Sequence, residues 1–184
     1  MGRLRYCFFK FWCLLDPIYY LCSRLEYVRD KENNRDIFQV RLTKYKGRQI
    51  ILSDGTKIKK NDLLLKIHLH NVYLMKELNH FKSEIQKGRY IYSKTEKGLP
   101  NIVQYLRNHS QFHNVKGIIG ITILNKGSER LGFETFAIQN PFYKWYKLLT
   151  FTPMYFIIQY RFDSLKRPPK YLMMSKEKLL KLYG

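Results

Sequence analysis

From Ile37 onward the apolar residues switch from a helical period to strict alternation: Phe38, Val40 and Leu42 interleave with Gln39, Arg41 and Thr43. Successive side chains leave a strand on opposite faces, so this pattern requires a half-buried strand with its apolar side on a core. A sheet is therefore fixed before anything else, and the following residues extend it. Lys46-Gly47 turns the chain, Gln49–Leu52 returns it, and Ser53-Asp54-Gly55-Thr56 is a second hairpin signal, because Asp-Gly accepts positive φ. Leu63 to His70 reads as another strand. The expected product is an antiparallel meander over residues 37–70.

Helical signals surround it. Asp16-Pro17 is a good helix start, and Ile18, Leu21, Leu25 and Val28 follow at helical spacing, which predicts a helix over 17–29 within an amphipathic segment 1–30. Asn71 is placed to cap a helix whose stripe is Leu74, Met75, Leu78, Phe81 and Ile85. Gly98 and Pro100 punctuate it, and Pro100 opens a further helix through Ile102, Val103 and Leu106, so residues 71–112 are expected to be helical. Lys116–Leu124 reads as a central strand with Phe133–Ile138 as its neighbour. Tyr171–Met174 is a last strand leading through Ser175 into a C-terminal helix with Leu179, Leu180 and Tyr183. The predicted class is α+β: a single domain over 1–184, mainly antiparallel sheet, with N-terminal, central and C-terminal helices. With 45% hydrophobic and 16% aromatic residues, the chain has the means to bury a core.

Charge narrows the partner class. Lys and Arg number 34 against 14 Asp and Glu, a formal net charge of +20. Self-repulsion of this size opposes compaction, so it points to a polyanionic partner: an anionic membrane surface, a phosphorylated glycan or lipid, or nucleic acid. The excess runs along the whole chain, with no basic tail to account for it.

The N-terminus starts Met1-Gly2-Arg3-Leu4-Arg5 and enters an aromatic run that imitates a signal peptide. Lys10 interrupts that run, Asp16-Pro17 ends it, and no small-residue cleavage site follows. No stretch of about 18 uncharged apolar residues occurs, so no spanning helix is expected. Cysteines occur at 7, 13 and 22, an odd number that supports neither a disulfide framework nor a zinc knuckle. The expected location is cytoplasmic, peripheral on the inner face of the membrane, with no cofactor and no structural metal.

Three constellations bear on chemistry. His68 and His70, two apart on a strand, leave one face about 7 Å apart at Cα. Asp54, Asp62, His109 or His113 would have to supply a third metal ligand, and ordinary half-buried polar histidines are the simpler reading. Glu129-Arg130 precedes the Gly132 turn, where Arg130 is suited to a bidentate hold on phosphate or carboxylate. The surrounding Leu-Gly-Phe is similar to a signature of GNAT-type acetyltransferases, but the Gly-rich loop those enzymes need is absent after Ile118–Leu124. His68, His70 and Arg130 are the candidate catalytic residues of an unassigned transferase or hydrolase. Asp54, Asp62, Asn71, Glu129 and Arg130 are the candidate ligand-binding residues. Thirdly, aromatic and basic side chains cluster at Arg3, Arg5, Lys10 and Trp12 and again at Lys144, Trp145 and Lys147, a composition suited to a membrane interface. No Walker loop, Gly-x-Ser-x-Gly elbow, dinucleotide fingerprint or His-Glu-x-x-His helix occurs.

Asp16-Pro17-Ile18-Tyr19-Tyr20, Leu52-Ser53-Asp54-Gly55-Thr56, Asn61-Asp62, Lys66-Ile67-His68-Leu69-His70-Asn71, Lys116-Gly117-Ile118-Ile119-Gly120-Ile121-Thr122, Glu129-Arg130-Leu131-Gly132-Phe133 and Met174-Ser175-Lys176 together resemble the YkoP family of uncharacterised proteins from Bacillus-type bacteria. The resemblance spans nearly the entire chain and implies no assigned catalytic residue. A similar module accompanies polysaccharide deacetylase domains, which implies a role near cell-envelope glycan or its lipid-linked intermediates. The chain carries none of the deacetylase metal motifs, so that activity is not implied. The leading expectation is a basic accessory or binding protein at an anionic membrane surface, with nucleic-acid binding second and an enzyme third.

Overall fold

The computed structural model describes residues 24–30, 32–78, 80–81, 83–122, 127–147 and 168–184. Its strands are β1 (Glu26–Arg29), β2 (Arg35–Lys44), β3 (Ile50–Ile51), β4 (Lys57–Ile58), β5 (Leu63–Leu69), β6 (Val115–Thr122), β7 (Glu134–Ala137) and β8 (Lys170–Ser175). Its helices are α1 (Asn71–Leu78), α2 (Glu84–Asn108) and α3 (Lys176–Tyr183), with a short 3-10 turn at Ser128–Leu131 and a helical segment over residues 141–147. Six strands form one sheet in the order β1-β2-β5-β6-β8-β7, and β3 and β4 form a separate hairpin. Among the described strands only β5 and β6 pair in parallel, as the α1–α2 crossover between them demands. The α+β class with a mainly antiparallel sheet holds.

Alternation divides the sheet into two faces. Phe38, Val40, Leu65, Ile67, Ile118 and Met174 pack with Leu99, Ile102, Val103 and Leu106 of α2 and Leu179 of α3. On the opposite face Leu64, Ile119 and Met173 meet Tyr45, Leu52 and Ile58, so the β3–β4 hairpin covers part of it. β6 is buried on both sides, which explains its uninterrupted Ile-rich run.

Four expectations are corrected. Residues 17–23 of the predicted N-terminal helix lie outside the described residues, and Glu26–Arg29 is an edge strand paired with β2. The helical signal in that stretch rested on Leu25 and Val28 alone, and pairing to β2 overrides so short a pattern. The meander is interrupted: β2 pairs directly with β5, Phe38 opposite Leu69 and Lys44 opposite Leu63, while the intervening hairpin folds over the sheet. β7 does not flank β6, because β8 lies between them.

The fourth correction concerns Pro100. It sits inside α2 and opens no new helix. The helical break falls earlier, where Ser83 caps α2 by accepting a hydrogen bond from Ile85 N–H at 3.3 Å, and Ile85 itself points into solvent. The carbonyl that Pro100 leaves without its helical donor belongs to Glu96, an exposed residue. Gly98 instead marks a close approach: a Cβ there would stand 2.8 Å from Phe38 Cε2 and 2.9 Å from Asp36 Oδ1. Gly98→Ala is therefore expected to destabilise the protein by about 1–3 kcal/mol through overpacking, despite alanine's better helix propensity. Chemical denaturation checks this, and a stabilised variant would mean that α2 does not lie on β2 as described.

Candidate functional site

The sheet face away from α2 and α3 carries the chemistry. Gln39 and His68 are register partners on it, as are Arg41 and Lys66, and Lys66 pairs onward with Ile119, Met173 and Glu134 across the sheet. Arg41 and Lys66 thus face each other as like charges on adjacent strands, an arrangement that destabilises a sheet. Lys66 is only 9% exposed. Burial first, and then the neighbouring charges of Lys147 and Arg41, push its pKa down to about 8. The same causes act on His68, with burial leading and Lys66 the first of three cationic neighbours, and hold it at about 3. His68 is consequently neutral near pH 7, with little basicity to offer a reaction.

Above Lys66 opens a cavity of about 1330 Å³. Arg41 and Lys44 of β2, Lys46 and Arg48 of the following loop, Lys59 and Lys60 after β4, and Lys66 of β5 all line it. No carboxylate is found among its described lining residues, against seven cations. The apolar wall consists of Ile119, Ile121, Phe136 and Tyr171, and residues Pro141, Phe142 and Tyr143 stand at its edge. Tyr45 and Tyr171 meet edge-on at 6.4 Å between ring centroids, and burial raises both phenol pKa values, so each keeps its proton as a donor. Outside the cavity lining, on the same sheet face, Gln39 is 6% exposed and its Nε2 has no hydrogen-bond partner among the described residues.

The wall formed by the hairpin is pinned at its tip. Ser53 donates to the Glu134 carboxylate through its backbone N–H at 2.9 Å and its hydroxyl at 2.7 Å, and Lys178 Nζ reaches the same carboxylate at 3.5 Å. Ser175 Oγ donates to Asp54 while accepting from Lys178 N–H at 3.0 Å as the cap of α3. Burial raises the Asp54 carboxyl, but its hydrogen bonds with Ser175 and Thr56 outweigh that and leave it below the ordinary range. Asp62 is likewise held low, burial opposed by the Lys59 N–H and by Lys116, whose ammonium lies 3.1 Å away. Both aspartates spend their acceptors inside the fold.

At the edge of the cavity, Asn140 caps the 141–147 helical segment, accepting from Tyr143 N–H at 3.0 Å. Phe142, Trp145 and Tyr146 fall at i, i+3 and i+4 on one face of it and are 87%, 69% and 58% exposed. Lys147 stands over the rings of Tyr143 and Tyr146, 5.5 and 5.4 Å from their centroids.

The residues expected to act together do not all meet. His70 packs against Tyr27 and stacks on Tyr73, its N–H bonded to Ile37 O just past β5. Arg130 and Glu129 are exposed on the 3-10 turn that enters β7, with β6 and β8 between that edge strand and the histidines. Asn71 begins α1, away from the cavity lining. Lys144 and Trp145 lie on the exposed helical segment beside the cavity, whereas Arg3, Arg5, Lys10 and Trp12 fall outside the described residues. No group of three or more His, Cys, Asp or Glu side chains suited to a metal ion occurs among the described residues. The cations of the cavity, Arg41 and Lys66 above all, escaped the sequence reading. Their signal lay in the alternation itself, which puts both at polar positions of strands whose polar face the hairpin covers.

Comparison with known proteins adds family context. The family model described as YkoP domain matches residues 5–183. A protein of Bacillus subtilis (strain 168) described as "Uncharacterized protein YkoP" is 44% identical over 182 residues, covering 98% of each chain. No solved structure matches the chain significantly.

Proposed function

We propose that this chain, which belongs to the YkoP family, is a binding protein that lies on an anionic membrane surface and takes the phosphorylated headgroup of a lipid or lipid-linked intermediate into its basic cavity. The observation that carries this reading is the cavity, with seven cations and no described carboxylate on its walls. Such a concentration of one sign works against folding, and a bound anion offsets it. Small-ligand sites are concave and largely apolar with a few placed polar groups, and this cavity combines an Ile/Phe/Tyr wall with a cationic floor.

The exposed aromatic face gives the membrane part of the reading its support. Phe142 stands at the cavity's edge, and Trp145 and Tyr146 follow it on the same exposed helical face beside exposed Lys144, where rings would sit at headgroup depth and a cation would meet anionic lipid. Among the described residues no helix is long and apolar enough to cross a membrane, so the proposed association lies along the surface. The family resemblance favours an envelope intermediate as the cargo.

Flotation of the full chain tests the proposal. With vesicles of phosphatidylglycerol in phosphatidylcholine, the protein is expected to rise with the lipid at moderate salt and to stay at the bottom with phosphatidylcholine alone. Remaining at the bottom with both would overturn the reading. If that same protein then retarded duplex DNA with a steep salt dependence, nucleic-acid binding would take its place.

A further inference from the structure

We infer that the protein meets the anionic leaflet with one lip of this cavity, formed by Lys44, Lys46, Arg48, Lys59 and Lys60, so that the mouth is applied to the bilayer and Phe142 enters it from the opposite lip. This rests on the headgroup-binding reading above and assigns the surface that its membrane partner takes.

Exposure locates the lip. Of the seven cations that line the cavity, Lys66 is buried and Arg41 half-buried, whereas Lys44, Lys46, Arg48, Lys59 and Lys60 are exposed and so stand at the mouth. They come from two stretches of chain that the fold holds side by side: Asn61 N–H donates to Tyr45 O at 2.8 Å, and Tyr45 N–H donates to Asp62 O at 2.9 Å. Between those stretches lies the β3–β4 hairpin, fixed to the sheet through Ser53 with Glu134 and Asp54 with Ser175. The backbone that carries the five cations is thus already in place before a partner arrives.

The fold leaves that charge for a partner to answer. No side-chain hydrogen bond or ion pair joins Lys44, Lys46, Arg48 or Lys60 to a described residue. The two carboxylates near them in sequence are committed, Asp54 to Ser175 and the Thr56 N–H, and Asp62 to Lys116 and the Lys59 N–H. Among the described residues the exposed glutamates are Glu26, Glu32, Glu96, Glu129 and Glu177, on β1, the β1–β2 turn, α2, the 3-10 turn and α3, and none of them lines the cavity.

The opposite lip differs in kind. Residues 137–142 line it without a charged side chain, and Pro141 and Phe142 are exposed there. A groove for nucleic acid tracks the backbone with positive charge along its length. A basic lip facing an apolar one instead matches a bilayer interface, where lipid phosphates and the acyl boundary lie at adjacent depths.

Charge reversal on two surfaces tests the assignment. The lip variant is Lys46→Glu, Arg48→Glu, Lys60→Glu. The helix variant is Arg89→Glu, Lys97→Glu, Lys181→Glu, three exposed cations of α2 and α3, which pack on the other face of the sheet. Three reversals of two units each take the formal charge from +20 to +14 in both. In flotation of the full chain at low salt, with vesicles of phosphatidylglycerol in phosphatidylcholine, the lip variant is expected to lose about a hundredfold or more in partitioning. The helix variant is expected to lose about threefold or less, because its charges lie beyond the screening length from the bilayer. A lip variant that floats no worse than the helix variant would overturn the lip and leave membrane binding standing, since the net charge would then act without a preferred face. Failure of the wild type to float would sink the membrane reading itself. Thermal melts accompany both variants, and if reversal unfolds either one, the two corresponding glutamine variants carry the test, with an expected loss of about tenfold or more at the lip alone.

Discussion

Lys66→Met is expected to make the protein more stable while weakening its grip on a phosphorylated headgroup. A buried ammonium whose pKa is pushed down to about 8, by burial and then by Lys147 and Arg41, costs the native state on the order of 3 kcal/mol at neutral pH. Methionine keeps the unbranched length of the side chain and removes the charge, so it retains the packing and loses the penalty. For a chain of this size a gain of about 3 kcal/mol raises Tm by roughly 6–12 °C. The pH dependence has a definite sign. The folded pKa lies below the unfolded one, so the charged form is disfavoured in the native state, and the cost is present in full below about pH 8. It fades as pH rises from there toward the ordinary lysine value near 10.4. The advantage of the variant should therefore be largest at pH 6–7 and shrink toward pH 10, which thermal melts across that range would reveal. A variant less stable than wild type at pH 7 would show that Lys66 has a compensating partner, and the case for an anion site would go with it. Stability given up at a binding site is the usual signature of function.

The triple substitution Phe142→Ser, Trp145→Ser, Tyr146→Ser is expected to reduce partitioning onto anionic vesicles at least a hundredfold with Tm close to that of wild type. The three rings are largely exposed, so the fold loses little when they are removed. At a membrane interface the balance differs. Burying even half of the roughly 150 Å² that each ring offers, at about 25 cal/mol per Å², contributes on the order of 5 kcal/mol to partitioning. Flotation and a thermal melt on the same preparation separate the two effects. Unchanged flotation would mean that the membrane meets another surface. A collapse of Tm would mean that the rings pack in the native state.

Both predictions rest on features unequally visible in the sequence. The strand pattern was legible wherever alternation or a continuous apolar run persisted, as in Phe38–Leu42 and Ile118–Ile121, because those periods reflect which face is buried. Ser175 was legible as a cap for the same local reason, and its hydroxyl does accept from Lys178 N–H. What failed was nonlocal. Nothing in residues 46–60 states that their hairpin leaves the sheet, and nothing near Phe133 states that β8, some forty residues later, inserts between β7 and β6. Pro100 misled because a break is the commonest outcome of an interior proline, whereas here the helix continues with exposed Glu96 at the lost bond. The aromatic and basic cluster at 142–147 was evident from composition. The cavity was not, since it draws on six separate stretches of chain that only the tertiary fold brings together. His68 and His70 attracted notice as a motif, but the site turns on Lys66, two residues before His68 on the same strand face.

The central claim is that the cluster around Lys66 is an anion site, and ligand-induced stabilisation tests it most directly. A soluble short-chain phosphatidic acid, titrated below its micelle concentration at low salt, should raise the Tm of the wild-type protein saturably, because a ligand that binds only the native state stabilises it in proportion to the logarithm of its occupancy term. The account predicts that rise in wild type and its near-complete loss in Lys66→Met. An equal rise in both proteins, or none in wild type, would contradict it.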